Sequence, residues 1–210
     1  MSTPYTPQPA IAAQFKDYPK IARLNREVVI TEKIDGTNAQ ILISEHGDFF
    51  VGSRTRWITP ENDNHGFARW AYENKEELLK LGPGRHFGEF WGSGIQRGYG
   101  LQKGEKRFSL FNVSRWCLQG QEPQRIAQPD PRVEKYQEVI RPNCVGLVPV
   151  LGRGVNFTGW DHILADLAQH GSYAAPGFMQ PEGIVLWHTA ANAGFKATLK
   201  NDDVPKGLSK

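Results

Sequence analysis

The longest uninterrupted apolar runs in this chain, such as Val28-Val29-Ile30 and Ile184-Val185-Leu186-Trp187, are only as long as a β-strand. A membrane-spanning helix needs roughly 18 apolar residues in a row, and nothing here approaches that. Residues 27–33, 39–44 and 49–56 read as strands, joined by the turn formers Asp35-Gly36-Thr37-Asn38 and Glu45-His46-Gly47-Asp48. Strand patterns recur at 85–91, 107–116 and 145–151, and residues 182–188 and 194–199 make a closing hairpin. Helical spacing is confined to 66–81, to a short stretch at 132–140, and to a helix that Thr158 caps and that runs through His170. Strands dominate without alternating βαβ order, which predicts an α+β fold of antiparallel sheets flanked by a few helices.

At 210 residues, 39% of them hydrophobic, the chain suits a single domain over 1–210, with residues 1–14 as a flexible tail. Residues 1–9 lack the basic and apolar segments of a secretory signal. Cys117 and Cys144 are the only cysteines, with no CxxC pair, so an intracellular, cytoplasmic protein is expected rather than a disulfide framework or a cysteine zinc site. Gly82-Pro83-Gly84, Gly98-Tyr99-Gly100 and Gly152-Arg153-Gly154 lack the full dinucleotide fingerprint and read as turns. The six histidines are scattered, without metal-ligand spacing.

The net charge of +3 is too mild to argue for nucleic acid by itself. Its distribution says more. Arg97, Lys103, Lys106, Arg107 and Arg115 stand against one acid, Glu105, and alternate with Tyr99, Phe108, Phe111 and Trp116. Such a stretch suits either phosphate attraction with base stacking or a solvated strand edge.

The segment that carries chemistry is Thr31-Glu32-Lys33-Ile34-Asp35-Gly36-Thr37-Asn38. A lysine leaving a strand ahead of a tight Asp-Gly turn is held in one pose while its amine stays reachable. KxDG alone arises by chance in ~5% of chains this long. Further blocks follow in order: Ser53-Arg54-Thr55-Arg56, His86-Phe87-Gly88-Glu89-Phe90-Trp91-Gly92, Phe108-Ser109-Leu110-Phe111-Asn112-Val113, Pro181-Glu182-Gly183-Ile184-Val185-Leu186 and Phe195-Lys196-Ala197-Thr198-Leu199-Lys200.

Together these blocks resemble motif I, the arginine block after it, and motifs III, IIIa, IV and V of the covalent nucleotidyltransferase superfamily. That superfamily holds polynucleotide ligases and RNA-capping enzymes, and the Glu-Lys-x-Asp-Gly-Thr-Asn form is most similar to the phage-type RNA ligase branch. The resemblance implies a ligase adenylation domain of ATP-grasp-like type without an OB-fold. It implies that Lys33 takes AMP from ATP and that the AMP then serves to seal RNA ends. By the same resemblance Lys196 contacts the α-phosphate, and Glu182 binds Mg²⁺ or Mn²⁺. Glu89 accepts from a ribose hydroxyl, Phe111 stacks on adenine, and Glu32 faces the purine edge. Asn38 and Arg54 match ribose- or phosphate-directed positions. Asp35 reads first as a turn former, and Arg56 ranks behind Arg54. An amine attacking phosphorus must be neutral, whereas a free lysine titrates at about 10.4. A cationic neighbour such as Lys196, a divalent ion and partial burial all favour the neutral form.

The chain departs from the family pattern at two positions. Thr198 holds the place of a second motif V lysine, which leaves Lys200, on the same strand face as Lys196, as its substitute. Asn112 stands where an acid is usual. The chain also stops soon after Lys200, which favours a ligase of minimal design with weak grip on nucleic acid unless a protein partner supplies the surface. Expected partners are RNA, including a nicked duplex or a DNA/RNA hybrid, and no membrane. Rival readings are a DNA ligase, a GTP-using capping enzyme, and a non-catalytic nucleic-acid-binding domain.

Overall fold

The computed structural model describes residues 17–116, 141–155 and 158–200; the expected tail at 1–14 and helix at 132–140 lie outside them. The elements in chain order are β1 (Val28–Lys33), β2 (Thr37–Ile43), β3 (Phe49–Ser53), α1 (Phe67–Glu73), α2 (Lys75–Leu79), β4 (Gly84–Gly92), β5 (Lys106–Leu110), α3 (Val113–Trp116), β6 (Val145–Leu147), β7 (Val150–Gly154), α4 (Trp160–His170), β8 (Gly183–His188) and β9 (Ala193–Thr198). They build a four-stranded sheet, order β7-β1-β8-β9, and a five-stranded sheet, order β3-β2-β4-β5-β6. The architecture is α+β, as expected, and every strand pair is antiparallel except β5 with β6, which is parallel. No described helix is long and apolar enough to cross a membrane.

Each sheet buries its outer face under helices. Beneath the five-stranded sheet, Ile41, Val51, Phe90 and Phe108 pack with Phe67, Ala71 and Leu78 of α1 and α2. The rings of Phe67 and Phe90 lie 5.0 Å apart, and those of Phe67 and Phe108 5.1 Å apart. The four-stranded sheet buries Val28, Ile30, Ile184, Leu186 and Ala197 against Leu167 of α4. A third cluster joins the sheets at one end, where Val29 and Ile34 meet Trp91, Tyr99 and Val148. Away from that end the inner faces part to leave a cleft.

Four sequence expectations change. The Asp35–Asn38 turn does not close a hairpin: β1 and β2 lie in different sheets, so the chain crosses between them there. The expected strand over 145–151 is split likewise, because Pro149 has no amide to continue a ladder. Instead its carbonyl accepts from Glu32 N at 2.9 Å, and Val148 N donates to Leu110 O at 3.1 Å. The strand expected over 107–116 stops at Leu110, since Asn112 Oδ1 accepts from Arg115 N at 3.2 Å and starts α3. The helix over 66–81 breaks at Asn74, whose side-chain amide also donates to Trp70 O at 2.8 Å.

Smaller corrections concern caps and glycines. Gly159, in left-handed conformation at φ 89°, caps α4 in place of Thr158. Gly152-Arg153-Gly154 belongs to β7 rather than to a turn.

Phe67 is fully buried and touches aromatic rings of two strands. Phe67→Ala is expected to cost about 3–5 kcal/mol, read from the midpoint of urea unfolding.

Candidate active site

Strand β1 assigns its side chains by parity. Val28 and Ile30 face the α4 core, so Val29, Thr31 and Lys33 face the other sheet. Lys33 ends the strand, three-quarters buried, with Nζ 2.5 Å from Glu182 Oε2. Glu182 precedes β8, whose Gly183 pairs with Lys33 in the β1–β8 register. The ion pair therefore joins two adjacent strand ends and depends on no loop excursion.

From the opposite sheet comes Glu89, 7% exposed. Its Oε1 accepts from Gly36 N at 3.1 Å and its Oε2 from Asn38 Nδ2 at 2.9 Å. Burial pushes its carboxyl from the ordinary range up to about 7; Lys33, the Gly36 amide and Asn38 oppose the shift, and Glu182 adds to it. Gly36 has a steric reason to be glycine: a Cβ there would sit 2.4 Å from Phe90 O and 2.8 Å from Trp91 Cβ. The Asp-Gly turn thus lets β1 cross directly over β4, bringing Lys33 and Glu89 to one place.

The cleft beside this group holds about 700 Å³. Thr31, Asn38, Arg54 and Phe111 line it, together with Trp187 of β8 and Arg115 of α3. Phe111 is 41% exposed, so its ring is available at the wall. Its amide bonds Phe87 O at 3.0 Å, which sets the two phenylalanines side by side. Lys196 lies opposite Val185, which in turn lies opposite Thr31. Since its neighbour Ala197 is buried in the α4 core, Lys196 faces the cleft side. Its backbone is roughly 12 Å from that of Lys33, two strands and two residues away, near enough for two long amines to converge on one phosphate.

Three expected site residues land elsewhere. Glu32, on the other face of β1, is 1% exposed. Its carboxylate accepts from Ser172 Oγ at 2.6 Å and from the amides of Tyr173 and Ala174 at 2.8 Å each. It anchors the turn after α4 and does not line the cleft, and burial raises its pKa despite these bonds. Lys200 is not on the β9 face: the strand ends at Thr198, whose Oγ1 donates to Lys200 O at 3.0 Å in the bend beyond. Arg56 donates to the carbonyls of Asn62 and Asp63, at 3.2 and 3.4 Å, and holds a loop.

The basic and aromatic stretch resolves into separate parts. Tyr99 and Phe108 are buried core, and Arg107 pairs with Glu105 at 2.6 Å. Arg97 turns inward to Asp35, a contact that sequence reasoning missed; so was the lining by Trp187, although alternation along 184–187 offered a signal for it. Among the described residues no three His, Cys, Asp or Glu side chains converge as a metal site. A divalent ion here would draw on Glu182, with Glu89 beside it, and on ligand oxygens.

A family model described as RNA ligase matches residues 26–201. Among curated proteins none matches the chain. The fold is shared with solved variants of Naegleria gruberi RNA ligase, each covering 83% of this chain and 50% of that chain. One, with ATP and Mn, has 20% identity and a TM-score of 0.56. An apo variant has 21% and 0.54, and a variant with AMP and Mn has 22% and 0.52. This chain spans about half the length of those proteins, and identity that low speaks for the fold alone.

Because folding raises the Glu89 pKa to about 7, its protonated form is favoured in the folded state. Its contribution to stability is therefore greatest below the unfolded value of about 4.3 and falls as pH rises to 7. Relative to Glu89→Gln, the native chain should lose up to about 3 kcal/mol between pH 4 and 8. Urea midpoints of both proteins across that range check it, and a pH-independent difference would contradict it.

Proposed function

The chain belongs to the RNA ligase family, and from that premise we propose that it seals RNA 5′-phosphate to 3′-hydroxyl ends through a lysyl-AMP intermediate. The observation that carries this reading is the pairing of Lys33 Nζ with Glu182 Oε2 at 2.5 Å, on the face of β1 whose Thr31 lines a cleft of about 700 Å³. Lys33 Nζ attacks the α-phosphorus of ATP; the N–P bond forms, and the bond to pyrophosphate breaks. The AMP then passes to the 5′-phosphate of an RNA end, freeing Lys33. A 3′-hydroxyl finally attacks that phosphate, forms the phosphodiester and expels AMP.

Lys33 can attack only as the neutral amine. In the free protein Glu182 is its counter-charge, and that pairing must be released before attack. Lys196 offers positive charge to the α-phosphate as its oxygens gain charge. Phe111 supplies a face for the adenine, and Arg54 a guanidinium for ribose or phosphate oxygens. Asn38 and Glu89 support each other by their hydrogen bond, and Asn38, on the cleft wall, offers polar atoms to ribose oxygens. A divalent cation, Mg²⁺ or Mn²⁺, when bound supplies charge neutralisation on the triphosphate. Glu182 and Glu89 fit it, since such ions need only one or two carboxylates besides phosphate oxygens and water. A cytoplasmic RNA-repair setting, where ATP and broken RNA meet, is part of the same proposal.

Incubation with α-labelled ATP and a divalent cation should leave a covalent label on the denatured chain. Lys33→Ala should abolish it, and a label that survives that change would sink the reading. Phe111→Ala is expected to raise the ATP concentration for half-maximal labelling by about 10-fold, from the loss of base stacking. Better labelling by GTP, or sealing of nicked DNA in preference to RNA, would move the assignment to a capping enzyme or a DNA ligase.

A further inference from the structure

The Lys33–Glu182 pair has a second connection, made through the loop between β4 and β5. Arg97 Nε donates to Asp35 Oδ2 at 2.8 Å. Its Nη1 donates to the carbonyls of Gln180 and Pro181, at 3.0 and 3.1 Å. Asp35 is two residues past Lys33, and Pro181 immediately precedes Glu182. The path from Lys33 through Asp35, Arg97 and Pro181 to Glu182 closes on the Nζ–carboxylate contact at 2.5 Å. One guanidinium thus grips the backbone arm of the amine and that of the carboxylate.

The loop that carries Arg97 is shaped for this grip. Gln96 and Tyr99 adopt left-handed backbone at φ 44° and 52°, a conformation that side chains other than glycine rarely take without support. Tyr99, 2% exposed, accepts from Asp35 N through its hydroxyl at 2.9 Å. Asp35 is therefore already held at its backbone, and Arg97 adds the tie that reaches across to the Glu182 arm. The planar fork of arginine serves acceptors in two directions at once, which a lysine ammonium on a flexible stem does not.

We infer that Arg97 is a positioning residue for the first chemical step, fixing Lys33 and Glu182 relative to each other. The inference rests on the ligase reading above and extends it to a residue outside the lining of the cleft. Its test is the rate of covalent AMP labelling in a single turnover, at varied ATP and pH, in Arg97→Ala and Arg97→Lys. Arg97→Ala should slow the limiting rate by about 10- to 100-fold, while half-saturating ATP moves by less than about threefold. Its pH–rate profile should shift, and added guanidinium should restore part of the rate. Arg97→Lys should stay near the alanine variant.

An unchanged limiting rate overturns the inference, as does a loss confined to labelled amplitude or to half-saturating ATP. If Arg97→Ala does not fold, Arg97→Gln takes its place in the same comparison. Should the native chain not label at all, the ligase reading fails on its own account. Arg97 is then judged by the ¹⁵N resonance of Lys33 Nζ, which should move in the Arg97 variant. A resonance that stays put overturns the inference.

Discussion

Strand β1 is hydrogen-bonded on both edges and covered on both faces, and its side chains must divide by parity. Even positions go to the α4 core and odd positions to the space between the sheets. Lys33 is odd and terminal, so its amine leaves on the face where Thr31 lines the cleft and meets Glu182, while its backbone stays within the ladder. Glu182 belongs to the neighbouring strand end, and Lys196 to the strand after that. A one-residue slip in any of these registers would turn a chemical side chain into the core and an aliphatic one into the cleft. The burial of Val28, Ile30, Ile184, Leu186 and Ala197 opposes such a slip, so the apolar core sets the positions of the charges.

Two buried carboxylates beside β1 show how sequence adjacency misleads. Glu32 and Lys33 are neighbours in the chain yet serve opposite faces. Glu32 receives three protein hydrogen bonds and works as a structural anchor. Glu89 is distant in sequence but meets Lys33 and Glu182 electrostatically and takes its donors from the Asp35–Asn38 crossing itself. Its environment couples the shape of that crossing to charge at the site.

Most strands were legible in the sequence because apolar residues alternate within them and turn formers separate them. Lys33, Glu182, Glu89, Asn38, Arg54, Lys196 and Phe111 were legible as a set through motif order. The allocation of strands to sheets was not. Local pattern cannot distinguish a hairpin after Lys33 from a crossing, since both need a tight Asp-Gly bend. The split around Pro149 has the same origin: an apolar run reads as one strand although its two ends bond different sheets. The Arg97 contacts span 62 residues to Asp35 and 83 to Gln180, a separation that no periodicity reports. Asn112, an oddity as a motif residue, makes sense once its carbonyl is seen capping α3.

The chain passes between the two sheets at Ile34–Gly36 and again at Val148–Pro149, and the amide of Glu32 bonds the carbonyl of Pro149. Both passages lie at the Lys33 end of the cleft, reinforced by the Trp91–Tyr99 cluster. The second passage bonds both sheets at once, since Val148 N reaches Leu110 O beside Phe111 while Pro149 O accepts from Glu32 N beside Lys33. Two backbone ties make the spacing between the strand of Lys33 and the sheet of Glu89 a property of the main chain as well as of side-chain packing.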